Sequence, residues 1–355
     1  MSSNFLSFQV EVSQQEQIDF ARDLAVLLKS GVTLNESVRL LREQAKSAAL
    51  RKLLDEVSAD LEHGTPLSIT LQKSSVRLSS VFVSMVKAGE VSGTLVTNLT
   101  FLSDWLERNL QLRRDIKSVT LYPKIVFSAA IMLGAGLSVF ILPKLIPIFV
   151  GMRIELPLIT RVVLATATFV RDNSLMILLT ALFIIVFFNI ISRIKPTRRI
   201  LQKIYLMTPF VGKLVTAYEL ALYSQLMHVL LKSGLTINES FEIASIESKN
   251  VPYQDSFLII KEKLIQGVNM SESISDFSNL YPSNFRSIIL VGEKTGTIEN
   301  SFGNLAIFYG KEINTRTKNL PTVLEPILLV SIGLIVGLIA LSIILPIYSL
   351  SGSLR

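Results

Sequence analysis

Three stretches of the chain lose the amphipathic pattern found elsewhere and become continuously apolar. They are residues 125–142 (IVFSAAIMLGAGLSVFIL), 173–192 (NSLMILLTALFIIVFFNIIS) and the run that begins PILLVSIGLIVGLIALSIILP at Pro326. None contains a charge, and each reaches about the 20 residues a helix needs to cross a bilayer. The pattern predicts transmembrane helices over 121–143, 173–192 and 326–347. Between the first two, LPLITRVVLATATFVRDN places apolar residues at helical spacing with Arg161 and Arg171 at its flanks. The segment 144–172 therefore reads as periplasmic or interfacial, with an amphipathic helix leading into the second span. Elsewhere no alternating strand pattern of useful length occurs.

Self-comparison adds a duplication. Residues 27–37 read LLKSGVTLNES and residues 230–240 read LLKSGLTINES, with nine of eleven positions identical at an offset of 203. The same offset carries Gly64 to Gly267, Ser68 to Ser271, Pro123 to Pro326 and Pro143 to Pro346. It also carries Gly89-Glu90 to Gly292-Glu293 and Gly93-Thr94 to Gly296-Thr297. A register that holds from a helical domain through the span after it is a tandem duplication of one unit. The second span is unpaired and returns the chain, so both copies point the same way, unlike inverted transporter repeats. In each copy a glycine (Gly31, Gly234) suits the end of one helix. Thr33 with Glu36, and Thr236 with Glu239, then have capping-box spacing at the start of the next. A long polar helix after each Gly93 or Gly296 runs on toward the span.

Charge fixes the orientation. The net charge is +7 over 355 residues, with 18% charged residues and mean hydropathy +0.50. Residues 1–120 hold 14 Lys and Arg against 14 Asp and Glu, residues 204–325 hold 10 against 12, and the rest hold 11 against 2. The surplus lies around the apolar stretches. A nucleic-acid binder would gather it on a folded domain, so no nucleic-acid partner is expected. Thirteen basic residues flank the spans on the side of 1–120 and 204–320, and five (Lys144, Arg153, Arg161, Arg171, Arg355) lie on the other. By the positive-inside rule, domain 1 (1–120) and the linker with domain 2 (193–320) are cytoplasmic, and the tail 348–355 is periplasmic. The N-terminus shows no basic n-region with an apolar stretch behind it, so no signal peptide is expected. The predicted fold class is an all-α membrane protein: two tandem-duplicated cytoplasmic helical bundles plus three transmembrane helices.

Candidate chemistry is sparse. The chain has no cysteine and only two histidines, His63 and His228, which removes disulfides, thiolate sites and multi-histidine metal centres. The two histidines do not correspond under the offset. His63 reads as a helix-end residue, and neither suggests catalysis. VGEKTGTI at 291–298 has the wrong spacing for a phosphate-binding loop, lacks a strand before it, and its copy AGEVSGTL lacks the lysine. No cofactor or catalytic set is expected. The spans hold no Asp, Glu, Lys, Arg or His, which disfavours the alternative of a small-solute transporter or channel subunit. Gly134, Gly136, Gly333 and Gly337 permit close helix contact within or between chains. The polar element that stands out is the repeated Gly-Glu-x-(Ser/Thr)-Gly segment, taken as a second turn. Its residues Gly89, Glu90 and Gly93, with Gly292, Glu293 and Gly296, are candidate partner contacts. In the competing reading Glu90 and Glu293 accept backbone hydrogen bonds at a helix start.

The two helical domains, the repeated LLKSG-T-NES and GE-x-(S/T)-G-T-(L/I) segments, ELPLITR at 155–161, and a last span opening LEP and ending LPIY resemble one family over residues 14–350. It is the GspF/PilC family of inner-membrane platform proteins of type IV pilus and type II secretion systems. The resemblance implies a non-enzymatic assembly protein whose cytoplasmic domains dock on a hexameric ATPase and whose spans sit beneath a growing filament. Implied partners are that ATPase, pilins or pseudopilins, other inner-membrane assembly components, and further copies in a homo-oligomer. Many members carry several tens of residues before the first helical domain. Their near absence here points toward shorter type IVb-like or plasmid-type versions.

Overall fold

The computed structural model describes residues 11–136, 158–191, 194–208 and 211–353. Among these every regular element is an α-helix, apart from one isolated bridge between Glu11 and Arg77, with short turns and linkers between the helices. The all-α expectation holds. The described residues of 1–114 and 199–313 form one compact unit, and those of 115–198 and 314–355 a second.

The compact unit contains two copies of the same helix series. Repeat 1 has α1 (Gln14–Lys29), α2 (Leu34–Gln44), α3 (Ala48–Glu62), α4 (Leu67–Lys73), α5 (Ser80–Ser92) and the start of α6 (Leu95–Gly136). Next in the chain come α7 (Leu158–Asp172), α8 (Ser174–Ile191) and α9 (Lys195–Met207). Repeat 2 has α10 (Val211–Lys232), α11 (Ile237–Glu247), α12 (Val251–Ile265), α13 (Met270–Ser275), α14 (Ser283–Thr295) and the start of α15 (Ile298–Ser353). The bounds of α11, α12 and α14 lie 203 residues after those of α2, α3 and α5. The six glycines with positive φ fall into three pairs at the same offset.

Local sequence sets these boundaries. The Thr236 side chain accepts from the Glu239 amide and the Glu239 carboxylate accepts from the Thr236 amide, a complete capping box. In repeat 1 only half of the expected box forms: Thr33 accepts from the Glu36 amide without the return bond. Ser13 and Glu16 make a complete box at α1 that the sequence reading did not single out. Helical spacing of Ile18, Ala21, Leu24 and Ala25 gives α1 its buried stripe. Leu53, Leu54, Phe82, Met85 and Leu102 of the same repeat are also buried.

The two cores differ in chemistry. Phe20 stacks on Phe82 in repeat 1, with ring centroids 5.5 Å apart. Repeat 2 instead chains Tyr223, Tyr253, Phe257, Tyr281, Phe285 and Tyr309 through edge and tilted contacts. Burial pushes the Tyr223, Tyr253 and Tyr281 phenols well above their ordinary range, and Tyr309 up to about 12. The folded state thus keeps protons that the unfolded chain releases near pH 10. The stability they contribute is complete below that pH and lost as pH rises toward 12 and beyond. Residues 1–114 contain no tyrosine, so alkaline unfolding is expected to start in repeat 2. Tyrosinate absorbance should rise together with loss of helical circular dichroism. Titration of all tyrosines near pH 10 with the helices intact would contradict this core.

The second unit carries the apolar stretches. Ser174–Ile191 forms one helix whose large residues Leu175, Phe183 and Ile184 are exposed, and Thr160–Asp172 meets it at a 75° bend. The 18 residues Glu325–Ser342 within α15 are also long and apolar enough to cross a membrane, with Leu329, Val330 and Leu334 exposed. Large contiguous apolar surface of this kind needs a covering partner or lipid. For the first predicted span, a shorter apolar helix over Lys124–Leu133 is present and residues 137–142 lie outside the described residues. Pro143, Lys144, Arg153, Arg193, Arg355 and the start of ELPLITR lie outside them too. Gly212–Lys232 passes the same length and apolarity test, yet it lies in helix α10 of the compact unit, where Leu220, Leu226 and Leu230 are buried. Its apolar content serves a protein core.

Candidate functional site

The repeated Gly-Glu-x-(Ser/Thr)-Gly segment is only partly a turn. Gly89 and Glu90 belong to the last turn of α5, and Gly292 and Glu293 to that of α14. Only Gly93 (φ +71°) and Gly296 (φ +70°) leave the helix, as left-handed caps. There an L side chain would meet its own carbonyl, so glycine is the favoured residue.

Each residue of the motif has a separate task. A Cβ on Gly89 would stand 2.8 Å from the Leu95 Cα, and one on Gly292 would stand 2.1 Å from Ser301 Oγ. The glycine lets the next helix double back against the end of this one. The glutamate reaches away from that hairpin to the start of an upstream helix. Glu90 Oε1 accepts from the Leu67 amide at 2.6 Å and Oε2 from the Ser68 amide at 2.9 Å. In repeat 2 Glu293 accepts from the Met270 amide, from the Ser271 amide at 3.0 Å, and from Ser271 Oγ. Neither α4 nor α13 has a side-chain cap of its own. The carboxylate therefore satisfies two of the first-turn amides that no helical carbonyl can reach, and its charge suits the positive end of the helix. The capped helix is the one that precedes the glutamate's own helix, not the one that follows the turn. The six motif residues are brought together in two clusters, one per repeat, and both glutamates are half-buried.

The sequence reading missed a second polar set, which joins the repeats. Helix α5 packs on α11. Glu247 Oε1 accepts from the Ser80 amide at 2.8 Å and from Ser80 Oγ at 2.7 Å. Buried Asn98 donates to the carbonyls of Met85 (3.3 Å) and Ser233 (3.4 Å), and Lys232 Nζ lies 4.5 Å from the Phe101 ring centroid. Under the offset, Asn98 corresponds to Ser301, Phe101 to Asn304 and Glu247 to Gln44. A search for identities passes over these positions because they differ, and that difference was the available signal. His63 caps the end of α3 as expected. His228 Nδ1 is 3.0 Å from the Glu299 carbonyl, and its ring packs beside Gly303. The buried carboxylate Glu219 accepts from Asn250 Nδ2 at 3.2 Å. The motif glutamates hold helix ends and the inter-repeat residues hold one copy on the other, so both sets fasten elements of the fold together.

Comparison with known proteins gives the same two-copy division. The family model described as "Type II secretion system (T2SS), protein F" matches residues 20–143 and again 223–346. The chain is 30% identical over 335 residues to the type IV pilus assembly protein PilC of Thermus thermophilus, covering 94% of this chain and 82% of that one. It is 25% identical over 331 residues to the type IV pilus assembly protein TapC of Aeromonas hydrophila, covering 93% and 80%. It is 25% identical over 346 residues to the type II secretion system protein F of Pseudomonas aeruginosa, covering 98% and 85%.

Proposed function

The chain belongs to the type II secretion system protein F family of inner-membrane assembly proteins, and on that premise we propose that it is a non-enzymatic platform linking a cytoplasmic hexameric ATPase to pilin or pseudopilin polymerisation. The observation that carries the reading is the continuity of α6 and α15. Each starts in a repeat's bundle at the Gly93 or Gly296 turn and continues unbroken into an uncharged apolar stretch. A helix transmits displacement along its axis because every turn is tied to the next by backbone hydrogen bonds. In this reading three spans cross the inner membrane, both repeats lie in the cytoplasm, and the C-terminus is periplasmic. The two glutamate clusters are the contact candidates. Gly89, Glu90 and Gly93, with Gly292, Glu293 and Gly296, shape rigid corners next to exposed surface such as Val91 and Val291.

Purification of the full chain in mild detergent is expected to bring a hexameric ATPase with it, and prepilin-like subunits after cross-linking. A charge introduced by Val91→Glu and Val291→Glu, which leaves the caps intact, should reduce ATPase recovery if these corners are the dock. Absence of any ATPase, combined with solute flux through liposomes holding the chain alone, would overturn the platform in favour of a transporter subunit.

A further inference from the structure

The contact between the two repeats is one-sided. Repeat 1 offers the α4–α5 face and repeat 2 offers α11, so that Ser80 meets Glu247 and Val83 lines one cavity with Ile246. The reciprocal pair, α14 and α2, makes no comparable contact. Duplication has therefore left one unused copy of each face. On repeat 2 the equivalents of Ser80, Val83, Ser84 and Lys87 are Ser283, Arg286, Ser287 and Leu290, which line an open cavity of about 450 Å³. The effect of an absent cover is visible next to it. Trp105 lines a cavity with Ile246 and Glu247 and is 3% exposed, whereas its equivalent Phe308 is 47% exposed. On repeat 1 the equivalents of Ile246 and Glu247 are Glu43 and Gln44, both exposed.

The residues that change between the used and unused faces change together. Where Val83 faces Ile246 inside the chain, the unused faces carry Arg286 and Glu43. Arg286 Nε is buried without a hydrogen-bond partner. Glu272 lines the same cavity, but neither residue takes part in an ion pair among the described residues. Where Ser80 donates to Glu247, Ser283 would meet Gln44, whose amide oxygen also accepts, though without the carboxylate's charge.

We propose that copies of this chain bind head to tail, the α13–α14 face of one copy receiving α2 of the next, with Glu43 paired to Arg286 and Gln44 to Ser283. The contact reuses between chains the geometry that joins the repeats within one. It is heterologous, so each copy keeps one free face of each kind until the assembly closes. The inference rests on the internal duplication and not on the platform role, so loss of ATPase binding would leave it untouched.

The native chain has no cysteine, which makes cross-linking selective. Full-length chains carrying Gln44→Cys or Ser283→Cys, differently tagged, are expressed together in membranes and oxidised. A disulfide-linked dimer containing both tags is expected, and no dimer from either variant alone. Adding Glu43→Arg or Arg286→Glu alone should lower the mixed dimer by about tenfold, since like charges then face each other. Placing Glu43→Arg on one chain and Arg286→Glu on its mate should restore it. Dimers from one variant alone, no mixed dimer, or indifference to the single charge reversals would each overturn the proposal. Trp105 fluorescence and elution volume verify that every variant is folded.

Discussion

Gly292→Ala is expected to destabilise the compact unit by about 3 kcal/mol, the upper end of the usual cost of overpacking. The added methyl would lie 2.1 Å from Ser301 Oγ and 2.8 Å from Ser301 Cβ. Ser301 is itself nearly buried, so it has little room to turn away. Because the obstacle is a side chain, Ser301→Gly in the same molecule should recover part of the loss, less about 1 kcal/mol for a glycine inside a helix. The counterpart behaves differently. At Gly89 the nearest atom is the Leu95 Cα at 2.8 Å, and no substitution removes a backbone atom. Gly89→Ala should therefore be as costly and resist rescue at Asn98, the residue equivalent to Ser301. Urea unfolding of the detergent-solubilised chain, followed by helical circular dichroism, measures all four variants. Equal behaviour of the two repeats, or no loss at Gly292→Ala, would show that the helix hairpins are looser than described.

Glu90→Ala is expected to cost about 2–3 kcal/mol, because hydrogen bonds to a charged group contribute about 1.5–3 kcal/mol and their loss leaves two amides of α4 without an acceptor. Glu90→Gln should cost about half as much, as it keeps one acceptor oxygen and loses the charge that favours a helix N-terminus. Glu293→Ala should cost slightly more than Glu90→Ala, because Ser271 Oγ also loses its acceptor. The chain's single tryptophan, Trp105, lies buried in repeat 1. Its fluorescence reports the Glu90 variants directly. The graded series separates the two readings of the motif. A cap gives Ala worse than Gln with stability as the readout. A contact alone would lower partner binding while the unfolding curve stayed in place. If Glu90→Ala left stability unchanged, the cap as described would be wrong.

Much of this molecule is written in local pattern. Helices end where LLKSG reaches its glycine and start again at Thr33 or Thr236, because caps and left-handed glycines depend on a few neighbouring residues. The duplication is legible for the same reason: the identities cluster at those stops, starts and close approaches. The apolar stretches announce themselves by length and lack of charge. Helix α10 shows the boundary of that signal, since composition cannot tell a helix surrounded by lipid from one surrounded by its own domain. Trp105 and Phe308 show it again at a single position.

The sequence by itself determined the all-α class, the two-copy register, the positions of the turns and the apolar stretches. Only the tertiary structure decided that Glu90 caps α4, that Glu247 holds Ser80, and that one of each duplicated face is used while its twin stays open. The physical reason is range. Helix periodicity and capping are fixed by residues three or four apart, whereas those contacts join residues 22 to 167 positions apart. Such contacts exist only once packing has brought their helices together.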